Sequence, residues 1–279
     1  MPADPSSLPA PQWASASGDA WARRWKDTDA ALDALSPFLL DSIAASSGEG
    51  TFNAFEIGCG PGSTTLAVAD AFPDASILAC DISPSLVEIA ARRAAGRTSV
   101  NVQRGDAEVI AATAGKFDLI FSRHGIMFFD DPVRAFGAFR SAANRGATLT
   151  FTCFQAWEKN PWASELAASA AGRELPSPGR DPSGFAFAEP EYVRNILESS
   201  GWAAAEPRPI FFDYFAGDSA EAALSFLSEL GPASRALEGL PEGERRGGLE
   251  RMRAVVRAHS TAGGVTFPAA AWLWRATAA

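Results

Sequence analysis

A short glycine-rich junction between a predicted strand and a predicted helix constrains this chain more than any other stretch. Glycine stands at positions 58, 60 and 62, directly after a mostly apolar run at 51–55, and residues 63–72 then read as a largely apolar helix. Glycine permits a sharp turn and lets a ligand approach bare backbone, and the helix turns its free N–H groups toward that ligand. The junction predicts a ligand site at a sheet edge; a tight turn with packing glycines alone is the alternative.

Two acidic residues follow later predicted strands. Asp81 ends the apolar run 76–80, and Asp106 follows the short run 100–103. A carboxylate at the end of a second strand can accept hydrogen bonds from both hydroxyls of a ribose. Asp81 could instead only begin the next helix, although Ser83 and Pro84 already supply an N-cap and a first-turn proline. Asp106 is open to the same alternative, a loop residue that caps a helix.

A fourth buried strand is predicted at residues 117–122, and Arg123 and His124 follow it directly. Parallel sheets place ligands and chemistry at the carboxyl ends of their strands. The next predicted elements are a helix at 131–144, strand 5 at 147–154, strand 6 at 209–215 and strand 7 at 270–277. Alternation of strands and helices over this length predicts an α/β fold with a Rossmann-like sheet and helices on both faces.

The remaining segments suggest how the chain is organised. Residues 1–12 are expected to be a disordered arm, and residues 13–50 a helical lid in which Pro37 separates two helices. Residues 51–279 then form the main domain. Its βα rhythm is interrupted at about 155–187 and 217–264, and we interpret both insertions as a helical cap. Five arginines on the second insertion lie among glutamates, which favours a solvated face over nucleic-acid contact.

Composition excludes several classes of protein. With 279 residues, 47% of them hydrophobic and 20% charged, the chain can build a sizeable core. A net charge of −9 disfavours nucleic acid as a partner. Three widely spaced cysteines and two histidines give neither a disulfide framework nor a metal site. No apolar run is long enough to span a membrane. The expectation is a cytoplasmic protein without a metal, and a homodimer is left open.

Taken together, the motifs resemble those of class I S-adenosylmethionine (SAM) dependent methyltransferases, in their small-molecule, ubiquinone/menaquinone-methyltransferase-like branch. The resemblance covers about residues 50–277. It rests on G-x-G-x-G with Glu56 two places before the first glycine, on Asp81, on Gly105-Asp106-Ala107 and on the segment 122–132. It implies a seven-stranded sheet in the order 3-2-1-4-5-7-6 with strand 7 antiparallel, SAM as cofactor, S-adenosylhomocysteine (SAH) as product and a small-molecule methyl acceptor.

The resemblance also implies roles for individual residues. Residues expected to bind the cofactor are Glu56, Gly58, Cys59, Gly60, Gly62, Asp81, Ile82, Asp106, Ala107, Ser122, Arg123 and Trp25. Residues expected to line an apolar acceptor pocket are Phe128, Phe154 and Trp157, for each of which core packing is an equal alternative. His124 is the candidate catalytic base, because it follows strand 4 and titrates near neutrality. A neutral histidine that hydrogen bonds backbone or the cofactor's carboxylate is the alternative.

Methyl transfer is an in-line displacement that needs alignment rather than a nucleophilic side chain. Two other functions remain open. A SAM-binding protein without catalysis would carry the same cofactor motifs. An NAD(P)-dependent reductase would share the junction and the strand-2 acid, but Ser63 occupies the third glycine position of its G-x-G-x-x-G motif, and neither tyrosine is followed by a lysine four residues later.

Overall fold

A computed structural model describes residues 13–47 and 50–279 of the chain. The predicted arm at residues 1–12 lies outside the described residues. The described part is a mixed α/β structure with helices around one sheet, which confirms the predicted fold class.

The sheet has eight strands in the described residues, seven of them on one continuous path. The order along that path is β3-β2-β1-β4-β5-β8-β6, and the two-residue strand β7 pairs with β8. Strands β1 to β5 pair in parallel, whereas β8 is antiparallel to both β5 and β6. The strands are β1 (Asn53–Ile57), β2 (Ser76–Asp81), β3 (Val100–Arg104), β4 (Phe117–Arg123), β5 (Ala143–Phe154), β6 (Trp202–Gly217), β7 (Ser260–Thr261) and β8 (Gly264–Ala278).

This order agrees with the prediction, because β8 takes the place of the expected strand 7. Three strands begin several residues earlier than predicted: β5 begins at residue 143 rather than 147, β6 at 202 rather than 209, and β8 at 264 rather than 270. The early part of β6 contains Pro207 and Pro209. In a sequence, two prolines argue against a strand, because proline has no backbone N–H to donate. Their place on an edge strand, paired only with β8 in the described sheet, removes that objection, since an edge strand needs no second partner for its N–H groups.

Helices cover both faces of the sheet. Alternate residues of β1 point to opposite sides, so Ala54 joins the core on one face while Phe55 and Ile57 join the core on the other. The helices before the cap are α1 (Ala16–Arg23), α2 (Trp25–Leu32), α3 (Ser36–Ser47), α4 (Ser63–Ala71), α5 (Pro84–Arg93), α6 (Ala107–Thr113) and α7 (Pro132–Ala142). Pro37 lies in the first turn of α3, where a proline is tolerated.

The two predicted insertions pack against each other. The first contains α8 (Ser164–Ala171), the core helix α9 (Pro190–Ser199) follows it, and the second contains α10 (Ala220–Glu229), α11 (Pro232–Glu238) and α12 (Glu242–Ala258). Leu166, Leu237 and Met252, one from each of α8, α11 and α12, share the same buried cluster. Arg251 of α12 also donates to the carbonyls of Ser169 and Ala170 at the end of α8, each at 2.7 Å. The helical cap is therefore one packed layer built from two separate segments.

Candidate functional site

The glycine junction between β1 and α4 forms a turn that only glycine can make without strain. Gly58, Gly60 and Gly62 have φ angles of 65°, 53° and 84°, all in the left-handed region. A side chain on Gly58 would also lie 2.9 Å from the backbone of Gly125, so this glycine allows β1 and the end of β4 to approach. A side chain on Gly60 would meet nothing within 4 Å. The turn therefore leaves open space beside the backbone at its centre.

Asp81 at the end of β2 is bonded directly to this turn. Its Oδ2 accepts from the Gly60 N–H and its Oδ1 accepts from the Ser83 N–H, both at 2.9 Å. Burial raises the pKa of Asp81, although these backbone donors counteract the rise. Each carboxylate oxygen keeps a further acceptor position, so the same side chain can brace the turn and bind ligand hydroxyls.

Asp106 takes up the capping position that the sequence left as an alternative. Its Oδ1 accepts from the Glu108 N–H at 2.8 Å at the start of α6. The residue is exposed and lines the same cavity as Asp81. Capping therefore accounts for one of its two carboxylate oxygens and does not remove it from the candidate site.

Glu56 is a buried acid at the end of β1, with 1% of its surface exposed. Burial raises its pKa from 4.5 to about 8, despite a hydrogen bond from the Thr65 hydroxyl and the nearby charge of Arg123. A further positive charge close to this carboxyl group would lower its pKa and favour the ionised form. Glu56 is therefore a candidate partner for a cationic ligand group.

Arg123 at the end of β4 is held by an acid from the N-terminal helices. Its Nη2 lies 3.5 Å from Asp29 Oδ1 on α2, while Asp29 Oδ2 also accepts from Arg93 Nη1 at 2.7 Å. Arg93 in turn donates to the Pro61 carbonyl at 2.8 Å within the glycine turn. Arg123 Nη1 is buried and has no hydrogen-bond partner among the described residues. A buried guanidinium nitrogen in this state is a ready donor for an anionic ligand group.

His124 lies next to Arg123 and is one of two residues other than glycine with positive φ in the described chain, at 60°. Its Nδ1 is 2.8 Å from the Thr152 hydroxyl, and its Nε2 is buried without a described partner. Burial, followed by the charge of Arg123, lowers the pKa of His124 to about 3. The imidazole is therefore neutral at physiological pH. This favours the alternative interpretation of His124, a neutral hydrogen-bonding group, over a strong general base.

One cavity of about 290 Å³ brings these residues together. Of the residues predicted from sequence, those that line it are Glu56, Gly58, Cys59, Gly60, Asp81, Ile82, Asp106, Ala107, Arg123, His124, Phe128 and Phe154. The lid segment contributes Trp13, Trp21, Thr28, Asp29 and Leu32 to the same cavity. The lid segment and the strand ends of the sheet therefore meet where the sequence predicted a ligand.

Four predicted site residues do not line the cavity. Gly62 is the N-cap residue of α4 and packs toward Ala90, and the Ser122 hydroxyl donates to the Ile57 carbonyl at 2.7 Å. The Trp25 ring lies 4.6 Å from the Arg93 guanidinium. Trp157 is buried against Phe185. Gly62, Ser122 and Trp25 support the glycine turn and its surroundings. Direct contacts of these three residues and of Trp157 with a ligand stay predictions.

Sequence reasoning missed several cavity residues. These are Asp29, Tyr214 of β6, and from the cap Trp162, Phe185, Phe226 and Arg235. No spacing pattern in the sequence connects them to the glycine junction, because they lie in the lid, in β6 and in the cap. For Trp162, Phe185 and Phe226, the sequence showed only that aromatic residues occur within the segments interpreted as a cap.

Comparisons with known proteins agree with this geometry. Residues 54–146 match the family model described as a methyltransferase domain. Among solved structures, magnesium protoporphyrin IX methyltransferase from Synechocystis, determined with SAH, superposes with a TM-score of 0.57 at 14% identity, covering 97% of this chain and 98% of that one. The YcgJ protein from Bacillus subtilis superposes with a TM-score of 0.56 at 17% identity, covering 86% and 98%. The family match and the shared fold confirm the resemblance to class I SAM-dependent methyltransferases.

Two relatives of established name match a shorter part of the chain. Malonyl-[acyl-carrier protein] O-methyltransferase 1 of Ilyobacter polytropus is 32% identical over 103 residues, which are 37% of this chain and 38% of that protein. The malonyl-[acyl-carrier protein] O-methyltransferase of a Paenibacillus species is 31% identical over 103 residues, 36% of this chain and 37% of the relative. The matched region thus spans less than two fifths of either relative.

Residues 13–47 and 50–279 contain no helix with the length and apolarity needed to cross a bilayer. Over the same ranges, no group of three or more histidine, cysteine, aspartate or glutamate side chains is arranged to hold a metal ion.

Proposed function

We propose that this chain transfers the methyl group of SAM to a small-molecule acceptor and releases SAH. One observation carries the proposal. The left-handed glycine turn, Asp81 and Arg123, whose Nη1 has no hydrogen-bond partner among the described residues, all line the same cavity. The methyltransferase-domain match over residues 54–146 supports the same conclusion.

The residues present fit the chemical groups of SAM. The open side of Gly60 gives room for a ligand against the backbone, and Asp81 offers acceptor positions to the ribose hydroxyls. Arg123 Nη1 offers a donor to the carboxylate of the methionine part. Glu56, protonated in the site without ligand, would give up its proton and face the ammonium as a carboxylate when that positive charge approaches. Asp106 is assigned to the adenine amino group. The ribose hydroxyls, the carboxylate, the ammonium and the adenine amino group of SAM therefore each have a candidate partner of opposite character.

The protein's contribution to the reaction is mainly alignment. SAM supplies a methyl group on a positively charged sulfur, which is already a good leaving group. The chain orients the acceptor in line with that methyl group and excludes water by means of the lid and the cap. His124 contributes a neutral hydrogen bond rather than strong base catalysis, because its pKa is about 3.

The acceptor is not carried over from the relatives. The family match ends at residue 146, whereas the cap residues that line the cavity begin at Trp162. The names of the two relatives give an acceptor attached to an acyl-carrier protein. An acceptor bound to a carrier protein is therefore one to compare with a free small molecule in activity assays.

Isothermal titration with SAH, with SAM and with NADPH tests the cofactor assignment. The expected result is one-site binding of SAH and SAM and no heat from NADPH. The Asp81→Ala variant is expected to lose most of the SAH heat, and the Asp213→Ala variant, in strand β6 and outside the cavity lining, to retain it. Absence of SAH binding by the folded wild-type chain would overturn the proposal.

A further inference from the structure

Trp13, just before α1 in the lid, has a buried indole N–H without a hydrogen-bond partner among the described residues. Its side chain lines the same cavity as Asp81 and Arg123. Leaving a buried donor unpaired destabilises a folded chain, so an unpaired donor at a ligand cavity points to an acceptor atom that the ligand supplies. Arg123 Nη1, which is assigned to the cofactor above, is in the same state.

Two aromatic contacts hold the Trp13 ring in place. Its centroid lies 4.9 Å from that of Phe128 and 5.4 Å from that of Trp21, and both contacts are edge-to-face. Phe128 lies in the segment after β4, Trp21 lies on α1, and both also line the cavity. The Trp13 ring therefore connects the lid to the ligand-binding edge of the sheet, in a position that packing fixes.

The start of the lid also lies against the loop that carries Asp81. A Cβ atom added to Gly18 of α1 would stand 2.2 Å from the Trp13 carbonyl oxygen and 2.4 Å from Ser83 Oγ. The backbone N–H of Ser83 is the group that donates to Asp81 Oδ1. The backbone of Trp13 therefore lies next to the loop whose acid is assigned to the ribose.

The hydrogen-bonding character of the two side chains is complementary to a hydroxyl group. An indole N–H can only donate, and a carboxylate can only accept. A ribose hydroxyl does both, because it can donate its proton to Asp81 while its oxygen accepts from Trp13. The carboxylate of the cofactor already has a donor of its own in Arg123. The ribose is therefore the part of the cofactor that suits an additional neutral donor.

We propose that the indole N–H of Trp13 donates to a ribose hydroxyl oxygen of bound SAM, beside the hydrogen bond to Asp81. The inference rests on the proposed function and adds to it a cofactor-binding residue from the lid. Because the lid gains this hydrogen bond when the nucleoside is bound, cofactor binding stabilises the lid. The two hydrogen bonds hold the ribose between the sheet edge and the lid.

Trp13→Phe removes the indole N–H and keeps an aromatic ring between Phe128 and Trp21. Titration calorimetry should show SAH affinity about fivefold weaker than in the wild type, which is the effect expected for one neutral hydrogen bond. Trp272→Phe is the matched control. It removes an indole N–H that donates to the Ala188 carbonyl, away from the cavity lining, and it should bind SAH as the wild type does.

Gly18→Ala tests the position of the lid without changing the Trp13 side chain. The added methyl group would collide with the Trp13 carbonyl and the Ser83 side chain, while alanine itself favours the helix. We expect SAH affinity to fall at least about fivefold. Gly137→Ala on α7, where an added Cβ atom would meet nothing within 4 Å, is the matched control and should retain the affinity. Equal affinity of Gly18→Ala and wild type would refute this placement of the lid.

The indole N–H can also be observed directly by two-dimensional proton–nitrogen NMR. Its signal is the tryptophan side-chain signal that is missing from Trp13→Phe. We expect SAH to move this signal downfield and to slow its exchange with water, because a hydrogen bond forms. Methylthioadenosine, which has the adenine and ribose of SAH but no amino-acid end, should cause the same change at millimolar concentration.

The outcomes separate the inference from the proposed function. If SAH does not bind the folded wild type, the proposed function itself fails. The inference alone is overturned if SAH binds wild type and Trp13→Phe equally well, or if it binds and leaves the Trp13 indole signal unmoved. A signal that moves with SAH and not with methylthioadenosine would place the contact at the amino-acid end and contradict the assignment to the ribose.

Discussion

Glu56 gives the chain a dependence of stability on pH that can be calculated from the structure. Its pKa is 4.5 when the chain is unfolded and about 8 in the buried native site. The native state therefore binds this proton more tightly than the unfolded state does. The contribution of Glu56 to stability is fully present below pH 4.5 and is lost as the pH rises to 8.

The size of the effect follows from the same values. The difference between 4.5 and about 8, at about 1.4 kcal/mol per pH unit, gives ~5 kcal/mol. Glu56→Gln replaces the acid by a neutral group of similar shape. We expect the unfolding free energy of this variant, relative to wild type, to rise by up to ~5 kcal/mol across this pH range.

Urea unfolding of the wild type and Glu56→Gln at a series of pH values measures this difference. Other titrating groups are common to both proteins and cancel in the comparison. Glu198→Gln on the exposed surface of α9 makes the same chemical change outside the buried site and is the matched control. A Glu56→Gln difference that does not change between pH 4.5 and 8 would refute the buried, protonated state of Glu56.

Three further predictions concern the cofactor site. Binding of SAM should release a proton from Glu56 near neutral pH, because a cationic ligand favours the ionised carboxylate; the binding heat should then depend on the ionisation enthalpy of the buffer, and no dependence would contradict the assignment. Asp29→Asn should weaken SAH binding about tenfold by loosening Arg123, whereas Asp70→Asn, in an exposed ion pair, should not; equal affinities in calorimetry would count against this. Gly60→Ala should destabilise the chain by ~1–2 kcal/mol through its positive φ and should also weaken SAH binding; unchanged urea stability and affinity would exclude both effects.

The parts of the fold that sequence predicted well are those governed by local rules. Alternating glycines between an apolar strand and an apolar helix can form few structures other than the observed turn. Asp81 was predictable because a strand end and a helix start fix its place within a few residues. The start of β6 was not predictable, since Pro207 and Pro209 are tolerated only on an edge strand, and edge position is a property of the whole sheet.

The parts of the site that sequence missed depend on contacts between distant residues. Asp29 reaches Arg93 and Arg123 from positions 64 and 94 residues away. Trp25 was predicted at the cofactor; its ring lies against Arg93, and its contact with the cofactor stays a prediction. Trp162 and Tyr214 face each other only because the cap folds back over the sheet. Helical spacing assigns such residues to a buried face without saying which cavity that face adjoins.

The most direct test of the account is a crystal structure of the chain grown with SAH. The account predicts the ligand in the crevice beside Gly60, with its ribose hydroxyls on Asp81 and its amino-acid end beside Glu56 and Arg123. An empty crevice at saturating SAH, or the ligand bound elsewhere on the protein, would contradict it.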